Sequence, residues 1–409
     1  MKRSVSDLAV FGGRPEFLNP ILVGQPNNID RRRFFDRMNW ALDNQWLSNG
    51  GPLVQEFEER VADLAGVRNC VATCNATAAL QLYARAARLT GEIVMPSMTF
   101  VATAHAMRWL GLKPVFCDVD PLTGCLDVPQ VEAVLTERTA AILGVHLWGR
   151  ACPVDDLEKL AAERGVPLFF DAAHAIGCSF SGRPVGGFGA VEVFSFHATK
   201  VVSAFEGGAV VTDDDELAGQ IRALHNFGIG PYGHEAGGTN AKLSEAGAAM
   251  GLTSLDALPE AARRNEENYE LYRAELDELP GVGLVEFDRR ERNNYQYVIV
   301  TIDESVTGIG RDLLQELLAA EKIVTKRYFS PACHELEPYR TENPVGLPHT
   351  EALARSVLAV PTGTRTTAED IRRVCGVIRF AVTEGRTVRE RWRRRENKEN
   401  AAADHRRED

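Results

Sequence analysis

Seven short apolar runs, spaced through 140 or so residues and separated by helix-like stretches, constrain this chain more than any other feature. They are 70–73, 92–95, 114–117, 140–145, 166–170, 191–196 and 209–212, with helical patterns such as 154–164 and 213–225 between them. Upstream, residues 53–65 place Leu53, Phe57, Val61 and Leu64 on one helical stripe. Apolar strands alternating with helices predict an α/β architecture, a large and mostly parallel sheet covered on both faces.

The pattern changes after about residue 245. A long stretch rich in Ala, Glu and Arg over 245–278 predicts a helix. Next come a strand-like 295–302, a helix near 311–321 and another at 367–381, with Thr366 and Glu369 spaced as a capping box. Three segments follow: a large domain with an N-terminal arm over 1–245, a small C-terminal α+β domain over 246–385, and a charged tail, 386–409, predicted to be disordered. A length of 409 residues agrees with more than one core.

The net charge of −11 argues against nucleic acid and anionic membrane as partners. No apolar run reaches membrane-spanning length, and Met1–Asp7 is not followed by a signal-peptide core, so a cytoplasmic protein is expected. The eight cysteines lack paired CxxC spacing and the nine histidines form no HExxH, so no metal site is expected; buried thiols in a reducing compartment are. Gly182–Gly189 lacks the GxGxxG spacing of a dinucleotide site and reads as a turn.

In an open α/β sheet, ligands gather at the carboxyl ends of strands. Asp171 ends the run Leu168-Phe169-Phe170, where a carboxylate needs a partner. Lys200 follows another strand, five residues after Ser195 and shortly before Glu206-Gly207-Gly208. An amine that can form a Schiff base and a carboxylate that can keep a pyridine nitrogen protonated are what a pyridoxal phosphate (PLP) enzyme requires. Asn75-Ala76-Thr77 lies between a strand and a helix start, where free N–H groups can hold a phosphate, and the Ser195 hydroxyl can donate to it as well. Phe100 offers a flat face to stack on a ring. Each residue alone has an ordinary structural explanation. Their order along the chain carries the argument.

With these residues the chain resembles the DegT/DnrJ/EryC1/StrS family of nucleotide-sugar aminotransferases, which have the fold-type I PLP architecture. The likeness runs from Trp46-Leu47-Ser48-Asn49-Gly50-Gly51-Pro52 to about residue 380. It includes Met95–Phe100, Val145-His146-Leu147-Trp148-Gly149, Asp171-Ala172-Ala173-His174 and Gly238-Thr239-Asn240. The resemblance implies that Lys200 carries the cofactor, Asp171 meets its ring nitrogen, and Ala76, Thr77 and Ser195 hold its phosphate. It also implies Phe100 on one ring face, Ala173 on the other, and His174 near the phenolic oxygen. Asn240 would reach the phosphate of a neighbouring subunit, so a homodimer is expected. Tyr328, His334 and Tyr339 lie in a stretch similar to the family's substrate-side segment.

The phosphate turn departs from the family's usual Gly-Thr, reading Ala76-Thr77. Family 3-dehydratases carry His where Lys200 stands, so the lysine favours transamination. Phe194–Lys200 with Phe205–Gly208 looks most like the branch that aminates C4 of dTDP-4-keto-6-deoxyglucose with L-glutamate as donor, as in deoxyaminosugar and antibiotic biosynthesis. The alternatives are C3 amination, cysteine desulfuration on the same scaffold, and a non-catalytic sensor of PLP or a nucleotide sugar.

Overall fold

The computed structural model describes residues 2–230, 233–234, 237–342 and 344–408. Each of the seven apolar runs is a strand: β1 (Asn69–Thr73), β2 (Glu92–Pro96), β3 (Lys113–Cys117), β4 (Thr139–Val145), β5 (Leu168–Asp171), β6 (Glu192–Ser195) and β7 (Gly208–Thr212). They form one sheet in the order β1-β7-β6-β5-β4-β2-β3. All neighbours are parallel except β7, which runs antiparallel to both β1 and β6. The strands are almost wholly buried, as a sheet with helices on both faces requires.

The reversed direction of β7 matters for the site. Its first residue, Gly208, is paired with Thr73 at the end of β1 on one side and with Ser195 at the end of β6 on the other. The carboxyl ends of β1 and β6, separated by 120 residues of chain, are thereby set two strands apart at one edge of the same cleft.

Helix Pro52–Ala65 starts with Pro at its first turn and stops at left-handed Gly66, burying Leu53, Phe57 and Val61. Leu64, the fourth residue of the expected stripe, is half-buried against the same core. The long helix Glu245–Leu276 packs against it and against Ala368–Thr383 of the C-terminal part, so the expected boundary at 245/246 falls on the first turn of a helix that joins both parts. A three-stranded antiparallel sheet, Val282–Leu284, Val298–Ile302 and Val357–Val360, forms the C-terminal part.

Three expectations need correction. The N-terminal arm was assigned to the large domain, but Val5, Leu8, Phe17 and Ile21 are buried with Leu314, Ile371 and Ile378 of the small one. Ile21–Leu22 also pairs with Ile323–Val324, and Lys2 bonds Glu321 at 2.7 Å. The capping box of helix Ala368–Thr383 lies one residue later than predicted, at Thr367 and Asp370: Asp370 N–H donates to Thr367 Oγ1 (3.1 Å) and Thr367 N–H to Asp370 Oδ2 (3.0 Å). The predicted disordered tail is helical over Gly385–Glu408. Its first turns are fastened by buried Val388, by Arg389 on Glu304 (3.0 Å) and by Arg391 on Ser6 (2.6 Å), contacts from distant segments that composition does not disclose.

Candidate active site

A cavity of about 410 Å³ opens where β1, β4, β5 and β6 end. Ala76, Thr77, Phe100, Asp171, Ala173, His174, Ser195, Lys200 and Tyr328 all line it.

The phosphate end is built by local helix chemistry. Asn75 caps helix Ala76–Ala86 by accepting from Ala78 N–H at 2.8 Å, and the helix geometry leaves the amides of Ala76 and Thr77 without intrahelical acceptors. Ala76 and Thr77, at the positive end of this helix, line the cavity together with Ser195. A Cβ on Gly208 would lie 2.5 Å from Ala76 N and 2.6 Å from Asn75 C, so only glycine lets β7 run this close behind the turn. This gives a physical reason for the second glycine of Gly207-Gly208.

Asp171 is buried, and both of its oxygens are held. Thr103 Oγ1 donates to Oδ2 at 2.8 Å and Ala173 N–H to Oδ1 at 3.1 Å. Burial pushes its carboxyl pKa up, and these bonds and the Lys200 charge oppose the rise. Lys200 is half-buried, and enclosure of its amine lowers the pKa to about 8 against the opposing pull of Asp171. Its Nζ donates to Tyr297 Oη at 3.2 Å.

His174 is buried and kept neutral: burial, and then the Lys200 charge, drive its pKa well down. Trp148 N–H donates to its Nδ1 at 3.1 Å, which leaves the proton on Nε2. The His174 ring stacks on Phe329, with centroids 5.9 Å apart and planes 15° apart, and Phe329 also neighbours Phe100 at 5.9 Å.

Three expected residues lie elsewhere. His334 is buried away from the cavity lining, its Nδ1 2.7 Å from Ser97 Oγ and its backbone N–H donating to the same oxygen, so it is a packing residue of the 96–100 segment. Its neighbour in that reading, Tyr339, is also buried, its hydroxyl 2.8 Å from His105 Nδ1. Asn240 is exposed and outside the cavity lining of its own chain, bridged to Asn226. Four residues that sequence reasoning did not assign to the site contribute to it: Thr103, Tyr297, Lys326 and Phe329. Thr103 was within reach of sequence, one helical turn after Phe100; the other three come from the C-terminal part, and no local signal ties them to Lys200.

The donor set suits PLP: free amides and a hydroxyl for a phosphate, a buried carboxylate for a ring nitrogen, and a lysine of lowered pKa for an aldehyde. The profile of the DegT/DnrJ/EryC1/StrS aminotransferase family matches residues 28–379. The chain belongs to this family. It is therefore a PLP-dependent nucleotide-sugar transaminase with the fold expected of one. Among relatives of this aminotransferase, the dTDP-4-amino-4,6-dideoxy-D-glucose transaminase of Escherichia coli is 33% identical over 361 residues, 87% of this chain and 96% of that one. The GDP-perosamine synthase of Caulobacter vibrioides is 32% identical, over 83% of this chain and 92% of its own. Among solved structures, DesI in the presence of its TDP-sugar product shares 63% identity and a TM-score of 0.93, covering 95% of this chain and all of that one. DesV of S. venezuelae, in complex with a ketimine intermediate, shares 30% and a TM-score of 0.81, covering 88% of this chain and 99% of that one.

Proposed function

We propose that this aminotransferase moves an amino group from L-glutamate to the C4 keto group of dTDP-4-keto-6-deoxy-D-glucose, giving dTDP-4-amino-4,6-dideoxy-D-glucose for a deoxyaminosugar of secondary metabolism. The observation that carries the reading is the 63% identity, over nearly the whole chain, to a protein crystallised with a TDP-sugar product. The E. coli relative, named for a dTDP-4-amino sugar, supports C4 as the carbon aminated.

In this reading the cofactor, when bound, supplies an aldehyde and an electron-withdrawing ring. Lys200 would hold the cofactor at rest, and its Nζ, once free, would take and return the proton at the reacting carbon of each substrate. A pKa of about 8 keeps a useful fraction of that amine neutral near pH 7.5, which an ordinary lysine would not do. The Asp171 carboxylate would keep the ring nitrogen protonated. Ala76 and Thr77 amides and the Ser195 hydroxyl would hold its phosphate, Phe100 and Ala173 would lie beside its ring, and His174, with its proton on Nε2, would donate to its phenolic oxygen. Tyr328, at the C-terminal wall of the cavity, meets the sugar.

The same reading makes the working unit a cytoplasmic homodimer, with Asn240 of one subunit completing the phosphate site of the other. The exposure of Asn240 outside its own cavity and the eight free thiols support it. The test is to incubate purified enzyme with dTDP-4-keto-6-deoxy-D-glucose and glutamate and locate the new amine by NMR. A 4-amino product with stoichiometric 2-oxoglutarate is expected; amination at C3, or no amination of this sugar, would contradict the assignment.

A further inference from the structure

Lys200 Nζ meets a hydroxyl that comes from the other half of the molecule. Tyr297 immediately precedes the central strand of the small sheet, Val298–Ile302, and its Oη is 3.2 Å from Nζ. The phenol is buried, and burial pushes its pKa up, so it stays protonated at any working pH. A protonated phenol can accept from the ammonium form of Lys200 and donate to the neutral form. It can therefore accept from one form and donate to the lone pair of the other, whereas a carboxylate or a carbonyl can only accept.

The ring is fixed on several sides. Tyr297 contacts the His174 ring, with centroids 4.6 Å apart, and meets Tyr328 edge-on at 5.5 Å. The backbone leading to it is tied to both active-site turns of the large domain. Asn294 Nδ2 donates to His174 O at 2.9 Å and to Ile176 O at 3.0 Å, Gln296 N–H donates to Asn294 Oδ1 at 3.0 Å, and Gln296 Oε1 accepts from Val201 N–H at 2.5 Å. Three residues of the small domain, Asn294, Gln296 and Tyr297, thus bind the turn after Asp171, the residue after Lys200, and Lys200 itself.

We infer that Tyr297 is a positioning residue for Lys200: its hydroxyl holds the free amine at the reacting carbon whenever the lysine is not joined to cofactor, and segment 294–297 delivers that hydroxyl from the small domain. This rests on Lys200 being the cofactor-bearing lysine. When the amine is released during turnover, its four-carbon chain would otherwise sample many rotamers. One hydrogen bond to a rigid buried partner restricts it to those that reach the proton in flight.

The experiment compares wild type with Tyr297→Phe, starting from apoprotein. PLP is added and two events are followed: binding, by quenching of protein fluorescence, and covalent capture, by visible absorbance, in which Nζ joins the aldehyde carbon and one water leaves. The variant is expected to bind PLP with unchanged affinity, capture it about ten-fold more slowly, and process glutamate with kcat about ten-fold lower and KM within two-fold, as loss of one hydrogen bond predicts. Capture and kcat at wild-type values would overturn the proposal. A second protein, with 3-fluorotyrosine at 297, keeps shape and hydroxyl but makes the phenol a stronger donor and weaker acceptor. The pH midpoint of capture should fall; an unmoved midpoint would mean a packing role only and equally overturns it. Borohydride reduction and peptide mapping keep the premise separate: if wild-type cofactor maps away from Lys200 the active-site reading fails, whereas equal capture at Lys200 in both proteins sinks only the role of Tyr297.

Discussion

Thr103 Oγ1 lies 2.8 Å from Asp171 Oδ2 and donates to it, one helical turn after Phe100. With Ala173 N–H on the other oxygen, the bond fixes the orientation of a buried carboxyl and opposes the upward push that burial gives its pKa. Asp171→Asn should still bind PLP yet slow each half-reaction at least about a hundred-fold, because the amide cannot keep the ring nitrogen protonated. Thr103→Val should cost about ten-fold, the worth of one hydrogen bond to a charged group. Stopped-flow single turnovers with glutamate check both; wild-type rates in Asp171→Asn would remove that residue from its role.

The lowered pKa of Lys200 has a direct kinetic consequence. Only the neutral amine attacks an aldehyde, so the rate at which apoprotein captures PLP should rise with pH and level off above about 8. A lysine in water would keep gaining through pH 10. A rate still climbing steeply between pH 9 and 10 would show that the interior does not depress this amine.

Gly208→Ala tests the close approach of β7 to the phosphate turn. The new methyl would meet Ala76 N and Asn75 C at 2.5 and 2.6 Å, both backbone atoms, so the turn must move. A loss of roughly 1–3 kcal/mol in stability is expected, together with PLP affinity weakened at least ten-fold. Equilibrium titration and thermal melts of apoprotein report the two effects. The same change at Gly219, where nothing lies within 4 Å of the added carbon, should leave affinity unaltered.

The large domain was legible because its strands are buried on both faces and read as continuous apolar runs, and because Asp171, Ser195 and Lys200 follow those runs directly. The wall supplied by the small domain was not. Tyr297 lies 97 residues beyond Lys200 along the chain, and nothing local to it distinguishes a core tyrosine from one facing a lysine. His334 shows the opposite failure: a histidine in a loop-like stretch suggested a substrate contact, but the fold seals it against Ser97. The tail was misread because its charge argued for disorder, although Val388 and Arg391 find partners on the small domain and N-terminal arm.

Asn240 provides a test of the shared site. Lys200→Ala and Asn240→Ala proteins should each be impaired, the second through weak cofactor binding. If Asn240 serves the neighbouring subunit, unfolding and refolding the two together should restore activity, because mixed dimers contain one site with both wild-type residues. No recovery in demonstrably mixed dimers would place Asn240 in its own subunit's site or outside both.

The most direct test of the whole account is chemical. Holoenzyme is reduced with borohydride, digested, and searched by mass spectrometry for the pyridoxyl group. The account predicts that group on the peptide containing Lys200, with the visible absorbance lost in Lys200→Ala. A pyridoxyl group on any other lysine, or none in protein purified with the cofactor present, would contradict it.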